Sequence, residues 1–91
     1  MTKTAMILKS TGEVLPLTTL SLVSLQASVG GWIEQVPTND GSTMYVNEDG
    51  KRLGLPINLN ATARYLYAFA DAIRGDVVVI ERASMRRRTR G

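Results

Sequence analysis

The stretch Gly75-Asp76-Val77-Val78-Val79-Ile80-Glu81-Arg82 decides the fold. Its centre holds four consecutive β-branched residues, which favour the pleated conformation of a strand. Because successive side chains point to opposite sides of a sheet, an unbroken apolar run means that both sides are covered. The sequence therefore predicts a strand that is covered on both faces or lies at the centre of the sheet.

The segment before this strand predicts a helix over residues 61–74. Its apolar stripe has the helical spacing i, i+3, i+4, i+7 and consists of Leu66, Phe69, Ala70 and Ile73. Asn60 is the candidate N-cap, and Gly75 follows the last turn. Residues 51–60, with Gly54 and Pro56 inside them, predict an ordered loop.

The N-terminal half predicts two hairpins around a first helix. Residues 4–9 and 13–17 flank Gly12, where a positive φ is expected, and Pro16 predicts an edge strand. A helix from about Leu20 to Ser28 follows, capped by Thr18 or Thr19 and ended by Gly30-Gly31. Residues 32–36 and 43–47 then flank an Asn-Asp-Gly turn.

The resulting order, ββαββαβ, indicates an α+β fold. Its economical form is a mostly antiparallel sheet of about five strands with both helices on one face. We expect a single domain over residues 1–82. Residues 83–91 hold Arg86, Arg87, Arg88 and Arg90 without an acidic residue, and this composition predicts a disordered Arg-rich tail.

Composition excludes several chemistries. The chain has 91 residues, with no Cys and no His. Cysteine nucleophiles, Ser-His-Asp triads and Cys/His zinc sites are therefore impossible. A carboxylate-only mechanism needs a deep cleft, which a domain this small rarely encloses. We expect a non-enzymatic protein with no cofactor and no metal site. The apolar runs are too short for a signal peptide or a membrane span, so a cytoplasmic location is predicted.

Charge is unevenly distributed along the chain. Residues 1–81 carry six basic and eight acidic groups, while residues 82–91 carry five arginines and no acid. The acidic body does not favour nucleic acid as the main partner. The Arg-rich tail alone supports that alternative function, through salt-sensitive contacts to phosphates.

Two glycine-containing motifs favour structural roles. Gly30-Gly31 lies at the end of a predicted helix, where carbonyl groups are presented, and not at a helix start that would bind phosphate. Asn47-Glu48-Asp49 resembles the opening of a calcium loop, but position 12 counted from Asn47 is Asn58 and not the required glutamate. A turn is the better interpretation.

Several polar residues are candidates for a recognition site near one end of the sheet: Asn47, Glu48, Asn58, Asn60 and Arg64. For Asn58 and Asn60 an Asx-turn and an N-cap are the structural alternatives. Trp32 is the single tryptophan, and the sequence leaves open whether it covers the core or forms an exposed anchor for a partner.

A set of motifs resembles a known family. In order, the motifs are Val29-Gly30-Gly31, Asn47-Glu48-Asp49-Gly50, Leu55-Pro56-Ile57-Asn58 and Gly75-Asp76-Val77-Val78-Val79. Together, over residues 4–81, they resemble the domain of unknown function 3846. The resemblance implies a small protein of the kind encoded by bacteriophages and mobile elements, and it implies no reaction.

The sequence thus predicts a small phage-type protein that acts by binding a host protein or a regulatory small molecule. Exposed apolar side chains beside open strand edges also favour a homodimer, with residues 31–47 at or near the interface.

Overall fold

A computed structural model describes residues 4–82, and the predicted tail over residues 83–91 lies outside them. Five strands form one antiparallel sheet in the order β2-β1-β5-β4-β3. The strands are β1 (Ala5–Leu8), β2 (Val14–Pro16), β3 (Ile33–Val36), β4 (Thr43–Asn47) and β5 (Val77–Ile80), and the helices are α1 (Leu22–Val29) and α2 (Leu59–Arg64). The predicted α+β class and element order are confirmed.

The central strand is β5, as the β-branched run predicts. Val77, Val78 and Val79 are each 0% exposed. Val77 and Val79 join one hydrophobic cluster with Leu8 and Met44. Val78 joins a second cluster on the opposite side of the sheet. Both faces of β5 are therefore covered by separate halves of the core.

The two helices lie on opposite faces, so the prediction that they share one face is wrong. Leu25 and Val29 of α1 pack in the cluster around Val78, whereas Ala61 of α2 packs in the cluster around Val77 and Val79. The physical reason lies in β5 itself. A strand that is apolar at every position needs cover on both sides. Helix α1 supplies it on one side, and Ala61 of α2 together with Tyr65 and Ile73 after it supplies it on the other.

Helix α1 begins later than predicted. Its N-cap is Ser21, whose Oγ accepts a hydrogen bond from the Ser24 amide at 3.1 Å, and not Thr18 or Thr19. Leu22, the first helical residue, is 57% exposed, whereas Leu25 and Val29 are buried. The C-terminal end of α1 is as predicted. Gly30 adopts the left-handed conformation, with φ 81°, and donates its N–H to the carbonyl of Gln26.

Helix α2 is much shorter than the predicted helix over residues 61–74. Its N-cap is Asn58, not Asn60, and it ends after Arg64. After Arg64 the chain turns away from the helix axis, and Tyr65 forms an antiparallel β-bridge with Thr38. The Leu66 amide donates a hydrogen bond to the carbonyl of Pro37 at 3.0 Å. These long-range hydrogen bonds replace the helical ones, and residues 66–70 form turns.

The hairpins agree with the sequence prediction. Gly12 has φ 100° in the turn between β1 and β2, and the Pro16-bearing strand β2 is an edge strand. In the second hairpin β3 pairs with β4, with Glu34 opposite Val46 and Val36 opposite Met44. Strand β3 forms the other edge of the sheet. Within residues 4–82 no helix is long and apolar enough to cross a membrane.

Candidate functional site

The side chain of Asn58 stabilises the fold through hydrogen bonds to three other segments. Its side chain is buried, and Nδ2 donates to the carbonyls of Leu8 and Gly75, at 2.8 Å each. Its Oδ1 accepts from the Ala61 amide at 3.0 Å and so caps α2. Both N–H groups and the oxygen of the amide bond within the fold, and the residue is 1% exposed, so Asn58 has a structural role.

Asn47 has a similar role on the other face of the sheet. Its buried Nδ2 donates to the carbonyl of Val29 at 3.1 Å, and its Oδ1 accepts from the Asp49 amide at 2.8 Å. The first bond satisfies a carbonyl at the end of α1, where intrahelical partners run out. Gly31 packs closely against this amide, since a Cβ on Gly31 would lie 3.0 Å from Nδ2 of Asn47.

The remaining predicted site residues do not form one cluster. Trp32 is 67% exposed, so residues 4–82 leave most of it uncovered. Asn60 and Glu48 are exposed. Arg64 lies 3.4 Å from Oδ2 of Asp40 and forms an ion pair with it. The structure therefore separates the six predicted residues into two fold-stabilising asparagines, an ion pair and three exposed side chains.

A pocket of about 250 Å³ lies on the α2 face of the sheet. Its sheet side is formed by β3 and β4, its opposite side by the chain that leads into β5, and its end by the turn after β4. The lining consists of Glu34, Val36, Val46, Asn47, Glu48, Gly50, Lys51, Tyr65, Asp71, Ala72, Ile73 and Arg74. Among the predicted site residues, Asn47 and Glu48 border this pocket, although the side-chain amide of Asn47 is bonded to α1 on the other face.

Close backbone packing forms the end of the pocket. A Cβ on Gly50 would lie 3.2 Å from the carbonyl oxygen of Arg74, so the turn after β4 approaches that residue as only glycine allows without displacement. Ile57 forms an isolated bridge with Arg74, and the Gly75 amide donates to the carbonyl of Pro56 at 2.7 Å. The turn and the loop after it thus hold Arg74 at the pocket wall.

Two of the charged lining residues neutralise each other. Nζ of Lys51 lies 2.6 Å from Oδ2 of Asp71, and both side chains are substantially exposed. The hydrogen bond from Lys51, together with one from the Ala72 amide, lowers the pKa of Asp71 from its usual value. This pair closes one side of the pocket rim.

Arg74 is the lining residue with an unfilled hydrogen-bond requirement. Its Nη1 donates to the carbonyl of Leu55 at 3.0 Å. Its Nε is buried and has no hydrogen-bond partner among residues 4–82. Since buried polar groups in folded proteins are nearly always paired, an unpaired guanidinium nitrogen at a pocket wall calls for an explanation.

Sequence reasoning missed most of this pocket. It placed Arg74 at the end of a helix over residues 61–74, whereas α2 ends after Arg64, and it assigned Glu34 to a strand without a role. The charged lining residues come from four separate segments, at residues 34, 48–51, 71 and 74. No spacing pattern links them, so the sequence offered no signal for the pocket as a whole.

A row of exposed aromatic rings begins at the pocket wall. The ring centroids of Tyr65 and Tyr67 are 5.9 Å apart, and those of Tyr67 and Phe69 are 6.1 Å apart, both in edge-to-face orientation. Tyr67 is 47% exposed and Phe69 is 87% exposed. We call these three residues the aromatic row.

The groups that line the pocket are suited to holding a small polar molecule. Within the described part of the chain, no three His, Cys, Asp or Glu residues are grouped in a way that could hold a metal ion. The pocket combines carboxylates, a guanidinium and an apolar floor, which are groups that orient a small polar molecule.

Fold and pocket together define a small α+β protein built on one antiparallel sheet with a polar pocket on its α2 face. The chain belongs to the domain of unknown function 3846 family, whose model matches residues 2–89. This confirms the family resemblance. No curated protein and no solved structure matches the chain.

Proposed function

We propose that this protein is a non-enzymatic binding protein and that its ligand is a small polar molecule held in the pocket beside Arg74. The observation that carries the proposal is the unpartnered Nε of Arg74 at the wall of a preformed pocket. A ligand that adjusts this side chain could supply the missing acceptor. The pocket volume of about 250 Å³ suits a ligand smaller than a typical drug molecule.

The proposal is tested by filling the pocket. Ala72 lines the pocket, and Ala72→Trp would place an indole ring in it. Ala27→Trp is the matched control, since Ala27 is an exposed residue of α1 on the opposite face. Both variants and the parent chain are exposed to the small-molecule fraction of a cell extract, and retained compounds are identified by native mass spectrometry.

We expect the parent chain and Ala27→Trp to retain the same compound and Ala72→Trp to lose it. Retention of the compound by all three proteins would place the ligand elsewhere. The absence of any retained small molecule on the folded parent chain would contradict the proposal.

A protein partner is the second candidate function, and the aromatic row favours it. Aromatic side chains are enriched among the residues that dominate protein–protein binding energy. In this case Phe69→Ser would abolish capture of a specific host protein and leave the retained small molecule unchanged. Capture that is insensitive to this substitution would argue against the aromatic row as the contact.

Other predictions from the sequence remain proposals. The phage or mobile-element origin and the cytoplasmic location are two of them. A homodimer through residues 31–47 is a third, and light scattering that gives the mass of one chain at all concentrations would contradict it.

Nucleic-acid binding by Arg86, Arg87, Arg88 and Arg90 is the fourth. Removal of these residues would then abolish retention of DNA or RNA, and unchanged retention would contradict this function.

A further inference from the structure

We infer that the pocket selects a small zwitterion, a molecule with one ammonium and one carboxylate group, such as a free amino acid. This inference rests on the proposed function, because it requires that the pocket is a ligand site. It specifies the chemical class of the ligand from the charges that remain unpaired in the pocket lining.

The unpaired charges are of both signs. Lys51 and Asp71 form an ion pair. Glu34, Glu48 and Arg74 form no ion pair within residues 4–82. Two carboxylates and one guanidinium are therefore available to a ligand.

Glu34 and Arg74 lie on different sides of the pocket. Glu34 is on the edge strand β3, whereas Arg74 lies in the chain that leads into β5, and β4 separates β5 from β3 in the sheet. Glu48 follows β4 directly and lies in the turn that forms the end of the pocket. A ligand that reaches from Arg74 across β4 therefore meets the guanidinium at one end and the Glu34 carboxylate at the other.

A ligand with a single charge is disfavoured. The lining holds three acidic and two basic side chains, so a simple anion that approaches Arg74 also approaches an excess of carboxylates. A simple cation can pair with Glu34 or Glu48, but it leaves the Arg74 guanidinium without a counter-charge. A zwitterion satisfies both groups, and charge-assisted hydrogen bonds are roughly twice as strong as neutral ones.

The carbon skeleton of the ligand also has a counterpart in the lining. Val36 and Val46 contribute apolar surface from the sheet, Ile73 contributes it from the segment before β5, and Tyr65 adds an aromatic wall. The volume of about 250 Å³ accommodates an amino acid with a side chain of moderate size. We therefore choose an apolar amino acid as the probe.

The experiment compares three probes by isothermal titration calorimetry on the full chain: leucine, N-acetylleucine and leucinamide. N-acetylleucine keeps only the negative charge and leucinamide keeps only the positive one. We expect leucine to bind at least about tenfold more tightly than either capped form, because each form loses one charge-assisted contact.

Variants test the assignment of each end. Glu34→Gln together with Glu48→Gln should shift the preference of the pocket toward N-acetylleucine. Arg74→Met should shift it toward leucinamide. The controls are Glu13→Gln and Arg52→Lys, which change exposed residues outside the pocket lining and should leave the preference unchanged.

The outcomes separate this inference from the proposed function. Equal binding of leucine and its capped forms, or a preference that the variants do not change, overturns the zwitterion assignment. The same holds if the extract experiment finds a pocket ligand and leucine does not bind. If Ala72→Trp leaves all retention intact, the proposed function fails and this inference fails with it. Because Glu34 and Glu48 are exposed, their variants keep the test valid even if Arg74→Met unfolds.

Discussion

The Leu55 side chain occupies the space that a side chain on Gly75 would need. A Cβ on Gly75 would lie 2.7 Å from Cδ1 of Leu55, and Gly75 also has a φ of +84°. Loop 51–58 is therefore packed directly against the backbone that leads from Arg74 into β5. This contact holds both the central strand and the pocket wall in place.

The first prediction concerns this contact. Gly75→Ala should lower the free energy of unfolding by about 1–3 kcal/mol, chiefly through left-handed strain and in smaller part because the Leu55 methyl group must move. Chemical denaturation of the variant measures the loss. The effect of Gly75→Ala in a Leu55→Ala background, compared with Leu55→Ala alone, separates the causes, since the smaller residue 55 relieves the clash and leaves the strain. A stability equal to that of the parent chain in Gly75→Ala would contradict the packing described here.

The second prediction separates a structural asparagine from an exposed one. Asn58→Ala removes the N-cap of α2 and the donor to two buried carbonyls, so we expect a loss of about 2–4 kcal/mol. Asn60→Ala is the matched control and should change the stability by less than about 0.5 kcal/mol, because Asn60 is exposed. Thermal unfolding of both variants tests this. Equal losses would contradict the assignment of the cap to Asn58.

The third prediction distinguishes the observed turns from the helix that the sequence predicts over residues 61–74. In that helix Phe69 and Ile73 would both be buried, whereas in the structure Phe69 is 87% exposed and Ile73 is 6% exposed. Ile73→Ala should therefore cost about 2–5 kcal/mol and Phe69→Ala less than about 0.5 kcal/mol. Similar losses from the two substitutions would support the continuous helix instead.

The same segment shows how far local sequence signals extend. The β-branched run at Val77–Ile80 specifies a central strand without outside information, because its pattern is complete within four residues. Residues 61–74 have an equally clear helical period, but Tyr65 leaves the helix to bridge Thr38, far earlier in the chain. The sequence around Tyr65 contains no signal that predicts its pairing with Thr38.

Local sequence patterns also fail to reveal the long-range contacts of the candidate site. Glu48 could be named from the sequence because it lies in a recognisable turn motif, and Asn58 because it is a polar residue of the loop over residues 51–60. Their roles could not be assigned, since the partners of Asn58 are carbonyls of Leu8 and Gly75 in two other segments. Arg74 gains its importance from packing against Gly50 and from an unpaired nitrogen, and these are tertiary properties.

The fourth prediction concerns acid stability. The Ser42 hydroxyl, at 2.6 Å, and then the Ser42 amide, at 3.0 Å, lower the pKa of Asp40 from its ordinary value of 3.8. A carboxyl with a lowered pKa in the folded state stabilises the protein above its unfolded-state pKa. This stabilisation is lost as the pH falls through the lowered value.

Asp40→Asn should therefore reduce stability at neutral pH by no more than about 1 kcal/mol, since Asp40 is partly exposed, and should have little effect well below pH 3.8. Urea unfolding at several pH values measures this convergence. Glu13→Gln serves as an exposed carboxylate control. A difference between Asp40→Asn and the parent chain that persists at strongly acidic pH would contradict the proposed cause.

A ligand held between the β3–β4 hairpin and residues 65–74 would change the environment of the backbone amides around the pocket. An amide-resolved NMR titration with the compound retained from the extract, or with leucine, detects this change residue by residue. We predict saturable shifts at Glu34, Gly50, Tyr65 and Arg74, with no shift at Leu25 and Val29 on the opposite face. Shifts confined to α1, or shifts that do not saturate at any residue of the pocket, would contradict the proposed ligand site.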